Sequence, residues 1–203
     1  MTGPTGVGKT AVGVALAQRL GAEVVAMDSM SLYRGMDVGT AKPTIAERQG
    51  IPHHLIDRLD PWEAASVASY RDWAREAVED VERRGKRVLF VGGTPLYLKA
   101  LLRGMFDGPG ADQEHRDRLE AEADCLGNQA MLDRLSKVDP STAARLHPND
   151  LRRIIRALEV IEATGRPISD WQREHDRPAD GVTVIALTRP RDELRDRINR
   201  RVL

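Results

Sequence analysis

The sequence predicts an α/β fold: a P-loop core, with a parallel sheet flanked by helices, that carries an inserted all-helical subdomain. Three observations predict it. GPTGVGKT, residues Gly3 to Thr10, fits G-x-x-x-x-G-K-[ST] and runs straight into a helical pattern. Apolar bursts then alternate with helical periodicity through the first half of the chain. From about residue 111 to 181 the chain is charged, helical and almost free of strand signals.

Taken in order, Lys9 to Leu20 reads as a helix with Val12, Leu16 and Leu20 on its apolar stripe and Gly21 as its stop. Glu23 to Met27 is a short buried strand with Asp28 at its carboxyl end. Gly35 to Pro43 is a loop too long for a simple turn, and loops of this kind usually bind something. Behind a Ser66 cap, Val67, Tyr70, Trp73, Ala74, Ala77, Val78 and Val81 recur at helical spacing up to Gly85. Val88 to Val91 is the next strand, and Gly92-Gly93-Thr94 turns the chain at its carboxyl end. Ligands gather at the carboxyl ends of such strands, so the glycine loop, Asp28 and Thr94 are expected to share one crevice.

Turn residues from Gly104 to Gly110 mark a change of character, which divides the chain into a core over 1–110, a helical insertion over 111–181 and a return to the core over 182–203. Val182 to Leu187 is expected to rejoin the sheet as a strand, followed by an arginine-rich helix from Asp192. Only Met1 and Thr2 precede the glycine loop, where a central strand normally stands, and the last helix ends abruptly. A fragment lacking its first strand is the expectation.

Lys plus Arg equals Asp plus Glu, 31 each, so net charge predicts neither an acidic nor a nucleic-acid partner, and any basic surface has to come from local sorting. The single cysteine, Cys125, excludes an internal disulfide framework and a thiolate metal site. With no apolar run near the roughly 20 residues of a membrane span and no room for a leader before the glycine loop, a soluble, cytoplasmic protein is expected.

The chemistry starts at the loop. Gly3, Pro4, Thr5, Gly6, Val7, Gly8, Lys9 and Thr10 form a phosphate cradle, in which Lys9 reaches outer phosphate oxygens and the Thr10 hydroxyl holds Mg²⁺ or a phosphate. An ATPase also needs an apolar strand ending in Asp to hold that metal, yet the strand here ends Val91-Gly92-Gly93-Thr94. Asp28 is the acid at a strand end near the loop, and its type fits a general base, a group near the metal, or the N-cap of a helix starting at Ser29. His53-His54 lacks a suitably spaced third ligand, Trp73 is expected in the core, and Trp62 and Trp171 are read as base-stacking platforms or, in preference, as partly buried against the neighbouring helix. Arg152, Arg153 and Arg156 stand opposite the apolar stripe of a helix capped by Asp150, as either a phosphate footprint or a solvated face balanced by Glu159 and Glu162.

GPTGVGKT, DSMSLYRGMDVGTAKP at 28–43, HHLID at 53–57, VGGTPLYLKALL at 91–102 and HPNDLRRIIRALEV at 147–160, in that order, resemble the tRNA dimethylallyltransferases, also called tRNA isopentenyltransferases. The resemblance implies transfer of a dimethylallyl group from dimethylallyl diphosphate, with Mg²⁺, to the exocyclic amine of the adenosine immediately 3′ of the anticodon. It assigns Asp28 as general base, and it places Asp28, Ser29, Met30, Ser31 and Thr94 against the target nucleotide. Arg116, Arg152, Arg153, Ile154, Ile155 and Arg156 are implied to touch tRNA, and Arg201, one turn beyond Arg197, to reach the diphosphate. A monomer is expected. The rival readings are an adenylate isopentenyltransferase, a nucleotide kinase or NTPase, and an inactive RNA-binding remnant.

Overall fold

Three short parallel strands organise the first half of the chain, in the order β2-β1-β3. The structure is a computed structural model that describes residues 1–104, 108–110, 112–175 and 179–202, without the side chains of 175, 201 and 202. In sequence, α1 (Lys9–Leu20) leads to β1 (Ala22–Met27), α2 (Ile45–Arg48), β2 (His53–His54), α3 (Val67–Arg83), β3 (Arg87–Gly92) and α4 (Pro95–Arg103). There follow α5 (Gln113–Leu126), α6 (Asn128–Val138), α7 (Pro140–Ala143), α8 (Leu151–Thr164), α9 (Ile168–His175) and α10 (Arg191–Val202). Two compact units result, Met1–Leu102 with Ala179–Leu203, and Arg103–Pro178. The first boundary thus falls at the end of α4 rather than in the turn-rich stretch after it. Among the described residues, no helix is long and apolar enough to cross a membrane.

In the first unit β1 is buried along its whole length, as a strand covered on both faces must be. Its even positions lie under α1 and its odd positions under α3, where Tyr70, Ala74 and Ala77 pack on Val25 and Met27. The Ser66 cap is present as a capping box, with the Ser69 N–H on the Ser66 hydroxyl and the Ser69 hydroxyl on the Ser66 N–H. The buried stripe of α1 is not the expected one: Gly13, Val14 and Ala17 face the sheet, while Val12 and Leu20 are 44% and 39% exposed. Close approach decides this, since a Cβ on Gly13 would lie 3.0 Å from a Val91 methyl. The helix seats its smallest residues against the strand.

Residues 182–187 do not form the expected strand. Only Ala186 bridges Thr2, in parallel, through Thr2 N to Ile185 O and Leu187 N to Thr2 O, both 2.8 Å. Met1 and Thr2 lie between this segment and β3, with Gly92 N donating to Met1 O at 3.3 Å. Val182, Val184 and Ile185 remain exposed.

The second unit is all helical. Its core joins Leu119, Ala123, Met131, Leu135, Ile154, Ile155, Leu158 and Val160. Asp139 is buried there and accepts from the Thr142 and Ser169 N–H groups at 3.0 and 3.1 Å, so one carboxylate caps the starts of α7 and α9.

Candidate active site at the carboxyl ends of the strands

The glycine loop turns from the sheet into α1 through Gly3, Gly6 and Gly8 at φ 151°, 81° and 104°, a sequence of positive angles that L side chains rarely adopt. Val7 points its side chain into the core, so it contributes backbone to the cradle. Lys9 Nζ lies over the loop and donates to Gly3 O at 2.8 Å and Pro4 O at 3.0 Å. Room for it comes from Gly93, where a Cβ would sit 3.2 Å from Nζ. Gly92 serves a different contact, since a Cβ there would come within 1.9 Å of Met27 O. The bulky neighbours that these two glycines admit therefore include strand β1 and Lys9 themselves.

One crevice, about 70 Å³, gathers Lys9, Thr10, Asp28, Ser31 and Gly92 at its rim, above a floor that includes Val14, Val24, Ala26 and Val91. A shallower groove of about 480 Å³ on the far side of Ile56 is lined by Arg34, Arg58 and Trp73. The smaller crevice is the one that brings Lys9 and Thr10 of the glycine loop together with Asp28. Thr94 ties the two strand ends together: its N–H donates to Met27 O at 3.2 Å, and its hydroxyl accepts from Ser29 N at 3.0 Å. Of the expected convergence, the crevice joins Lys9 and Thr10 at the end of the loop with Asp28, while Thr94 stands behind it, bonded to Ser29, and does not line it.

No helix begins at Ser29, which removes the N-cap alternative for Asp28. The carboxylate instead closes an Asx turn, Met30 N to Asp28 Oδ1 at 2.9 Å. Met30 is exposed and Ser31 buried. No carboxylate stands at the end of β3, and among the described residues no cluster of three His, Cys, Asp or Glu could hold a metal.

Other residues stand in or near the crevice without a role assigned from the sequence. His53 lines the crevice with Nδ1 2.8 Å from Ile51 O, and burial, with Arg48 and His54 adding, holds it below the usual imidazole range. Tyr97 on α4 is buried, stacks on Tyr70 at 3.7 Å, and has its phenol pushed up by burial and by the nearby Tyr33 and Asp28. Alternation places His53 beside Val24 on the α1 face, a signal that was available once β2 was seen to pair with β1. Ala41 and Pro43 form the loop wall. That wall is pinned by Lys42, whose buried Nζ meets Asp57 at 2.6 Å, Asp37 at 2.7 Å and Tyr33 O at 2.5 Å. Burial opposes its charge, but Asp37 and Asp57 outweigh burial and raise its pKa.

In the second unit the arginines divide into two kinds. Arg116 and Arg156 close on Glu159 at 3.0 and 2.7 Å, and Glu159 is 1% exposed, a core ion triplet rather than a member of a solvated face. Burial works to raise the Glu159 pKa, but Arg156, Arg116 and the Asp112 N–H together lower it. Arg152 and Arg153 are exposed. Ile154 and Ile155 are buried, so their side chains meet the helical core and not a polyanion. Asp150 stands at the N-cap of α8 without a side-chain cap bond and faces Arg153 at 3.8 Å instead. Trp62 is 82% exposed, against the expected packing, while Trp73 and Trp171 are half-buried beneath Arg58 and Arg166 at 4.9 and 4.6 Å. The side chain of Arg201 lies outside the described residues.

The IPP transferase family model matches residues 31–203. The chain belongs to the IPP transferase family. Among its relatives, the tRNA dimethylallyltransferase 1 of Pelobacter propionicus is 50% identical over 98% of this chain and 65% of its own length. The tRNA dimethylallyltransferase of Halalkalibacterium halodurans is 48% identical, over 100% of this chain and 65% of that protein. Both matches include the glycine loop that precedes the family-model span. Of the solved structures, a eukaryotic dimethylallyltransferase acting on tRNA superposes with a TM-score of 0.82 at 32% identity, covering 99% of this chain and 51% of that one. The full-length tRNA isopentenylpyrophosphate transferase of Bacillus halodurans gives 0.63 at 48% identity, over 99% of this chain and 63% of that one. The chain thus spans about two thirds or less of these relatives.

Proposed function

We propose that this IPP transferase chain carries the prenyl-transfer centre of a cytoplasmic tRNA-modifying enzyme, with dimethylallyl diphosphate as donor. The acceptor is the exocyclic amine of the adenosine 3′-adjacent to the anticodon. One observation carries the reading: a phosphate cradle and a carboxylate share a crevice whose β3 edge ends in glycines and threonine instead of an NTPase acid.

In that crevice the allylic C–O bond breaks and the electron pair leaves with diphosphate, whose growing charge the loop N–H groups and Lys9 stabilise. The amine nitrogen forms the C–N bond, and its proton passes to the Asp28 carboxylate. Thr94 fixes the Ser29 backbone and with it the approach of the base. The Thr10 hydroxyl would hold Mg²⁺ at the crevice, since this ion is usually held by few protein groups plus substrate phosphates and water. When bound it would neutralise diphosphate charge. An adenosine stacked in RNA reaches the crevice only when flipped out. The exposed Arg152 and Arg153 of the helical unit favour tRNA over free adenylate as acceptor.

Calorimetric titration with dimethylallyl diphosphate and with ATP, followed by labelled prenyl transfer to unmodified tRNA and to AMP, tests the reading. Preference for the prenyl donor, transfer to tRNA and loss of both in Lys9→Ala are expected. Tighter binding of ATP with measurable hydrolysis would overturn it.

A further inference from the structure

A loop can aim its N–H groups at a phosphate only if the carbonyls of those peptides face elsewhere, and the carbonyls then need partners of their own. In the glycine loop those partners are cations. Lys9 takes Gly3 O and Pro4 O. Two further carbonyls of the loop are taken by arginines from the far end of the chain: Arg197 Nε donates to Gly6 O at 2.6 Å, and Arg189 Nε to Val7 O at 3.0 Å. Arg189 is itself steered by Glu193 at 3.0 Å. The absence of a side chain at Gly6 lets α10 approach, since a Cβ there would lie 3.2 Å from Ile198 and 3.8 Å from Arg197 Cβ.

We propose that Arg189 and Arg197 are positioning residues for the phosphate cradle, a clamp that grips the loop from behind and fixes the N–H groups that face the diphosphate. The Gly6 carbonyl shares its peptide with the Val7 N–H, and the Val7 carbonyl shares its own with the Gly8 N–H. A charged donor on each carbonyl polarises the peptide and strengthens the N–H on its other side. It also covers carbonyl oxygens that would otherwise present negative charge near an anion. The Val7 N–H now makes only a long 3.4 Å bond to Pro4 O, which a phosphate oxygen can replace at little cost. Arg197, one turn before the arginine that the resemblance sends to the diphosphate, acts in this assignment on the loop that holds it.

The inference rests on residues 3–10 being a phosphate cradle, and it holds whichever diphosphate the cradle takes. The test uses the chain itself with inorganic pyrophosphate as probe. In Arg189→Met and Arg197→Met, amide hydrogen exchange at residues 3–10 of the unliganded protein should rise about tenfold while exchange in β1 and α3 stays at the parent rate. Pyrophosphate affinity should fall by about tenfold for each, the scale of one charge-assisted bond. Arg189→Lys and Arg197→Lys, which restore a charged donor, should recover part of the protection. If a Met variant releases α10, seen as exchange across 191–202, the Lys variants are read against Arg189→Gln and Arg197→Gln, which keep a neutral donor. Unchanged exchange in the loop together with weaker pyrophosphate binding would overturn the clamp, because the guanidinium would then act on the phosphate directly. Unchanged affinity would overturn it as well. A parent chain that binds pyrophosphate but not dimethylallyl diphosphate would instead defeat the prenyl-donor reading and leave the clamp standing.

Discussion

Strand β1 has a carboxylate near each end, and the two live under opposite conditions. Glu23, at the amino end, is 5% exposed and gripped by His54 Nε2 at 2.7 Å and by both terminal nitrogens of Arg84, which also reaches Asp80. Asp28, one residue past the carboxyl end, is half-buried and accepts one N–H, that of Met30. A matched buried charge fastens β2 and α3 to β1 and has nothing left to give a substrate. A loosely held one, in a crevice with Lys9 and Thr10, is the kind of acid that the proposed proton transfer requires. Burial and pairing thus separate a fully engaged acid from a sparsely engaged one at the two ends of a single strand.

The strongest way to break this comparison is to neutralise each acid in turn. Asp28→Asn keeps the oxygen that closes the Asx turn, so it should leave the melting temperature alone. Single-turnover prenyl transfer should nevertheless slow by about 10² to 10⁴, the usual worth of a general base. Turnover within a factor of about three of the parent, roughly 0.7 kcal/mol in barrier, would return Asp28 to a purely structural role.

Glu23→Gln should do the reverse, removing about 2 kcal/mol of stability, the cost of unpairing a buried charge-assisted network, with donor binding unchanged. The hydrogen bonds from Arg84 hold the Glu23 carboxyl below its ordinary range against the opposing effect of burial, and His54 adds to the lowering. A group lowered in this way stabilises the fold above its unfolded pKa and loses that contribution as pH falls through the folded value. Chemical denaturation across the acid range should therefore show a steeper loss for the parent than for Glu23→Gln. Parallel curves would remove Glu23 from the stability account.

The second unit offers a finer version of the same contrast. Arg116 and Arg156 serve buried Glu159, whereas Arg152 and Arg153 face solvent. Arg116→Ala should lower the melting point of the helical unit, since it leaves part of the Glu159 charge unmatched. Arg153→Ala should leave the melt alone, weaken tRNA binding a few-fold and flatten the slope of log affinity against log salt by about 1. A salt slope equal to the parent's would place Arg153 on a merely solvated face.

The site was more legible in the sequence than the packing around it. The loop, Asp28 and Thr94 could be brought together because strand ends in an α/β sheet converge wherever the helices settle. The stripe of α1 was misplaced because Val12, Leu16 and Leu20 form a good apolar row. The sheet instead takes Gly13 and Ala17, and periodicity does not register how close two backbones will come. Residues 182–187 have the composition of a strand, but ladder formation depends on a neighbour that composition does not name, and the pairing made is the single bridge of Ala186 to Thr2. Glu159 looked like a surface partner because sequence spacing cannot show that two arginines, one of them 43 residues away, will accompany it into the core. His53 was weighed only as a metal ligand, and Tyr97 was given no role, because their places depend on strand pairing and ring stacking, neither of which is local.

Lys42 has a consequence in temperature. The loop wall from Tyr33 to Pro43 carries little apolar packing of its own and is moored by one buried ammonium on two carboxylates and a carbonyl. Desolvating such ions costs less as water is warmed, whereas the gain from apolar burial levels off. Warming should therefore loosen the helix packing beneath the crevice before it loosens this wall, so that heat erodes the site from its floor upward.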